Sequence, residues 1–214
     1  MIRDQRRDEK YFDDYISYQN ERIEKFMELQ KGLTNQDGKT RCARTIANLK
    51  KDLLSAEYSR GASKENLKEI YESYLSIFDG NKLEEYAESV DALSLAILLD
   101  VDLKYLKNML QNNLLDGLIE TLLSYPVINV DKLKYPEYYQ PFFDYLSDKI
   151  DDIEFDKYML NEWYASNKEF AWYDSDQGTN DTYTGYWCWI AAACLKLKGR
   201  TESRNNPYIP YDMI

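Results

Sequence analysis

Five carboxylates crowd into nine positions: Asp148, Asp151, Asp152, Glu154 and Asp156. On a helix Asp148 and Asp152 stand one turn apart, as do Asp152 and Asp156. Like charges at that spacing repel by roughly a few tenths of a kcal/mol. Such a field has two chemical uses, holding a divalent cation or facing a basic partner. A structural use competes with both. Asp151, Asp152 and Glu154 also suit a solvated helix start, where the N-terminal dipole favours acid.

A second constellation follows at Trp172 and Tyr173, beside Asp174, Asp176 and Asp181. An aromatic anchor ringed by acid has the composition of a protein–protein hot spot. The same rings would equally plug a loop onto the helices beneath. Tyr supplies 20 of the 31 aromatic residues. It joins an apolar ring to a polar tip, which suits both core boundaries and interfaces. Asp151-Asp152-Ile153-Glu154-Phe155-Asp156 resembles the Asp-rich motif of all-α isoprenoid synthases, without a second metal-binding motif to accompany it. A metal-dependent all-α enzyme using the carboxylates of 148–156 is therefore one alternative, and an interaction scaffold another.

Other chemistries lack their residues. The chain has no His, which removes the usual zinc sites and Ser/His or Cys/His catalysis. Its three Cys are an odd number without framework spacing. Cys188 and Cys194 lie in an apolar run with Ala191, Ala192 and Ala193 that reads as a core helix, so they are expected to be small buried groups rather than nucleophiles. No cofactor is expected.

Charge narrows the partners. The 214 residues carry a net charge of −11. Residues 1–60 hold 13 basic and 11 acidic side chains, whereas 131–181 hold 5 and 13, a net of −8. This argues against a sequence-independent grip on nucleic acid and against adhesion to an anionic membrane. It favours a basic protein partner, and leaves a homodimer open. The N-terminal residues have no apolar segment of signal-peptide type, and no apolar stretch approaches the ~20 residues that span a bilayer. The cytoplasm is the expected location.

These residues must be positioned by helices. Phe12, Ile16, Ile23 and Met27 make one stripe of an amphipathic helix over 8–31. A turn over 34–38 leads to a second helix over 39–58, with Ile46, Leu49 and Leu53 inward and a basic outer face of Lys39, Arg41, Arg44, Lys50 and Lys51. Ser63 caps a third helix, and Asp79-Gly80-Asn81 makes a turn. Further helices are expected over 82–99, from Asp102 to about Leu114, and from Asp116 to Ser124. Beyond Pro126 they are expected over about 136–149, 153–166 and 183–198, with an acidic loop at 167–182 and an extended tail imposed by Pro207 and Pro210. The fold class is all-α: a helical bundle or short α-solenoid of about eight to nine helices. The expected division is an N-terminal helical domain, 1–124, and an acidic, Tyr/Trp-rich C-terminal helical domain, 125–214.

Ordered motifs along the chain carry a family resemblance. They are Arg7-Asp8 with Tyr11-Phe12-Asp13-Asp14-Tyr15-Ile16, then Glu57-Tyr58-Ser59-Arg60-Gly61-Ala62-Ser63 with Leu67, Tyr71 and Tyr74. Tyr183-Thr184-Gly185-Tyr186-Trp187-Cys188-Trp189 with Ala191-Ala192-Ala193 follows, and Tyr208-Ile209-Pro210-Tyr211-Asp212 closes the set. In this order they resemble the two halves of the PoNe-immunity (PoNi) proteins. The resemblance implies a bacterial antitoxin, not an enzyme. Its partner would be a PoNe toxin, a DNase of the PD-(D/E)xK type released in competition between bacteria. The toxin-binding residues expected on this reading are Asp151, Asp152, Glu154, Glu162, Trp172, Tyr173, Asp174, Asp176 and Asp181, with no catalytic or metal-ligating residue.

Overall fold

Asp8 opens the first helix by accepting a hydrogen bond from the Tyr11 amide at 2.8 Å. In the computed structural model, which describes residues 1–78, 82–178, 180–200 and 205–214, this helix is α1, Glu9–Gly32. Its buried stripe is Phe12, Tyr15, Gln19 and Ile23. The steps of three and four keep these side chains on one face. α2, Gln36–Arg60, begins earlier than the expected turn allowed, because the Asn35 side chain accepts from the Gly38 amide at 2.6 Å and caps it. α1 and α2 form a hairpin around Ile23, Cys42, Ile46, Leu49 and Leu53.

Gly61 ends α2 with φ +108°, and a Cβ there would strike the Met1 carbonyl, so the position requires glycine. Arg3 supplies the matching cation, donating to the Tyr58 and Ala62 carbonyls at 2.9 and 2.8 Å. α3, Lys64–Leu75, is capped by Ser63 as expected. The basic outer face of α2 is partly used internally: Lys50 turns in to Ser73, and burial draws its pKa down. The turn expected at Asp79-Gly80-Asn81 lies outside the described residues.

Two compact units emerge. The first comprises Met1–Asp79 with Asp174–Gly185, and the second Gly80–Tyr173 with Tyr186–Ile214. In the first unit residues 174–178 and 180–185 form a strap against α1 and α2, the Thr184 carbonyl accepting from the Ser59 hydroxyl at 2.7 Å. The Tyr11 hydroxyl accepts from the Tyr183 amide and donates to the Tyr183 carbonyl, both at 3.0 Å. Tyr183 itself is fully buried and donates its hydroxyl to Asp4.

The second unit holds α4, Tyr86–Leu98; α5, Leu103–Met109; α6, Gly117–Ser124; α7, Pro136–Leu146; α8, Asp152–Asn161; α9, Trp163–Ser166; and α10, Trp189–Leu197. α4 is central, as its nearly all-round apolar second half requires. Ser89 and Ser94, buried within it, satisfy their hydroxyls on the Glu85 and Val90 carbonyls. α10 lies against α4 through Ala191–Ala193, whose small side chains permit close approach. Asp116 caps α6 and also accepts from the Tyr86 hydroxyl at 2.7 Å and the Lys134 amide at 2.9 Å.

The class is all-α, with ten α-helices and no strand among the described residues, apart from an isolated bridge between Leu83 and Leu110. Several element boundaries differ from the expected ones. The 102–114 helix stops at Met109 and gives way to a 3-10 turn at Asn112–Leu114. The 153–166 helix divides at Glu162 into α8 and α9. α10 starts at Trp189 rather than 183, because Gly185 takes φ +115° and the Cys188 amide bonds outward to the Tyr208 carbonyl at 2.8 Å. The tail turns at Pro207–Tyr208, held by the Asn206 side chain on the Tyr208 amide, where an extended run was expected. No helix among the described residues is long and apolar enough to cross a membrane.

Candidate functional site

The carboxylate cluster sits at the turn from α7 into α8. Asp151 is the N-cap, accepting from the Ile153 and Glu154 amides at 2.9 Å each. Glu154 reaches back to the Asp151 amide at 3.2 Å, completing a capping box. Asp148 lies before the helix at φ +58°, so it does not share a helical face with Asp152 as the sequence spacing implied. Asp152 and Asp156 do share one, on α8.

Two of these acids are neutralised from within. Lys198 pairs with Asp148 at 2.6 Å and also donates to the Tyr145 carbonyl at 2.8 Å. Arg200 pairs with Asp152 at 3.2 Å, and Asp152 accepts from the Tyr145 hydroxyl at 2.7 Å. Burial pushes the Tyr145 phenol up and the bond to Asp152 pushes it further, so Tyr145 stays a proton donor at neutral pH. Asp148, Asp152, Lys198 and Arg200 line a cleft of about 590 Å³ together with Lys149, Ile150, Asp151, Ile153 and Glu154.

No three His, Cys, Asp or Glu side chains among the described residues gather as metal ligands. Cys188 and Cys194 are buried, and burial drives both thiols upward, away from the nucleophilic thiolate.

Trp172 and Tyr173 close over a cluster of rings in the second unit. Trp172 stacks on Trp163 at 5.7 Å and on Phe170 at 6.2 Å, and tilts against Tyr164 and Tyr186. Tyr173 stacks on Tyr164 at 4.5 Å. Both are half-buried, so each gives one side to packing and leaves the other outward.

The expected site residues thus fall in both units. Asp151, Asp152, Glu154, Glu162, Trp172 and Tyr173 belong to the second, and Asp174, Asp176 and Asp181 to the strap of the first. Glu162 is exposed where α8 meets α9, and Asp174 and Asp181 are exposed on the strap. Sequence reasoning missed Lys198 and Arg200, which reach the cluster from about fifty positions away and leave no local signal. It also missed Ile153 and Leu160, exposed on α8. Their signal was present: α8 carries apolar residues on two opposite faces.

Comparison with known proteins places the whole chain. The family described as PoNe immunity protein (PoNi), N-terminal, matches residues 3–111, and that described as PoNe immunity proteins (PoNi), C-terminal, matches 110–213. No curated protein and no solved structure matches. Two consecutive family patterns, in order and nearly end to end, carry the conclusion: this chain belongs to the PoNe immunity protein (PoNi) family.

Proposed function

We propose that this immunity protein neutralises a PoNe DNase by covering its DNA-binding groove or active site with an acidic surface. The toxin-facing candidates come from residues 148–182: Asp151, Asp152, Glu154, Glu162, Trp172 and Tyr173 in the second unit, and Asp174, Asp176 and Asp181 in the first. The observation that carries this reading is the net of −8 over residues 131–181. A DNase needs a basic groove for phosphate, and an acidic protein surface competes for the same cations. Opposite potentials speed encounter, and packed aromatic and apolar contacts slow release.

The pairs Asp148–Lys198 and Asp152–Arg200 reduce what the cluster offers outward. The outward charge then comes from Asp151, Glu154, Asp156 and Glu162 on or beside α8 and from the strap. Inhibition is by occlusion, without chemistry or a cofactor in this chain, and takes place in the cytoplasm, where an incoming nuclease reaches the chromosome.

Co-expression with a cognate PoNe toxin tests the reading. Restored growth and co-purification of the two chains are expected. Continued growth arrest, with the toxin recovered alone, would overturn it.

A further inference from the structure

We infer that the outer face of α8, centred on Ile153 and Leu160, is the apolar anchor of the toxin contact, and that its occupant is a basic surface of the PoNe toxin with an apolar recess between its cations. This deepens the proposed function and rests on it.

The two faces of α8 are both apolar but fare differently. Phe155 and Met159 point inward and are 1% and 0% exposed. Ile153 and Leu160 are 62% and 55% exposed. Seven residues apart, they stand within about 20° of one another around the helix and about 10 Å apart along it. One exposed apolar side chain on a surface is ordinary; two on a single helix face form a patch. Nothing in the packing of α8 requires them, because Phe155 and Met159 already seat the helix.

The surroundings select the occupant. Asp151, Glu154 and Asp156 flank the pair with Lys157 between them, a net of −2 over these four. Ile153 also borders the cleft that holds Lys149, Lys198 and Arg200, and each of those cations is already paired with an acid of its own, Asp144, Asp148 and Asp152. An anionic lipid surface would be repelled by that rim. A second copy of the chain, paired about a two-fold axis, would set the same acids against one another. A basic protein surface meets both requirements, with cations for the rim and an apolar recess for the centre. The capping box holds Asp151 and Glu154 in place before binding, so little ordering cost falls on this part of the rim.

The test uses this chain and a cognate PoNe toxin inactivated in its nuclease site. The double variant Ile153→Ser/Leu160→Ser should bind about 30-fold or more weakly. Its thermal midpoint should fall only slightly, because more than half of each side chain is already in water. Lys157→Glu, which needs no apolar loss, should bind several-fold more tightly at low salt and lose that gain as salt rises. Wild-type binding with the double variant within twofold of it overturns this inference alone. A wild-type chain that does not bind the toxin at all overturns the functional reading, and this one with it. Loss of self-association in the double variant, with toxin binding intact, assigns the face to a second copy and likewise overturns the inference.

Discussion

Reversing Asp156, Glu162, Asp176 and Asp181 together to lysine is expected to weaken toxin binding by about two to three orders of magnitude. The change takes the net charge from −11 to −3. These four lie outside the capping box of α8 and outside the Asp148–Lys198 and Asp152–Arg200 pairs, so the helix start and the cleft stay intact. Reversal removes an attraction and sets like charges against the toxin's cations. The loss should fall largely on the association rate, because rim charges steer encounter more than they hold the complex. Salt dependence should flatten with it, since screening has less attraction left to remove. Titrations at two ionic strengths measure both effects. Affinity and salt slope unchanged from wild type would remove these acids from the interface.

Phe155→Ala is expected to act by a different route. Phe155 is 1% exposed, stacks on Tyr145 with ring centres 4.1 Å apart, and meets Phe142 edge-on at 5.9 Å. Removing a buried ring of this kind costs about 3–5 kcal/mol, a large share of the roughly 5–15 kcal/mol that holds a domain folded. The urea midpoint should fall by about 1–2 M. Protection in cells should fall with it, through loss of folded protein, while the folded fraction binds the toxin with near wild-type affinity. The two variants therefore separate surface from scaffold: one loses affinity without stability, the other stability without affinity. A Phe155→Ala chain with an unchanged midpoint would contradict the packing described for α7 and α8.

Local rules account for what was legible in the sequence. Asp8, Ser63, Asp102, Asp116 and Asp151 each cap a helix through a side-chain oxygen, and each is readable from a polar residue set before an apolar repeat. The central place of α4 followed from its second half, which is apolar nearly all round. What could not be read depends on distant partners. The stretch 183–188 is apolar enough to continue α10, but the Tyr183 backbone is taken by Tyr11 and the Cys188 amide by Tyr208, so it stays extended. The same limit applies at the site. A count of acids gives Asp148 and Asp152 full weight, whereas Lys198 and Arg200 return to both and cancel much of their outward field. Ile153 and Leu160 were readable, since an apolar pair opposite Phe155 and Met159 has no place in a simple amphipathic helix.

Competition with DNA tests the central claim most directly. Nuclease-inactivated PoNe toxin is loaded with a labelled DNA duplex and titrated with the immunity protein. The account predicts that the duplex is displaced as the protein is added, and that the apparent affinity for the protein weakens in proportion to the DNA present. A stable complex containing toxin, duplex and immunity protein together would contradict it.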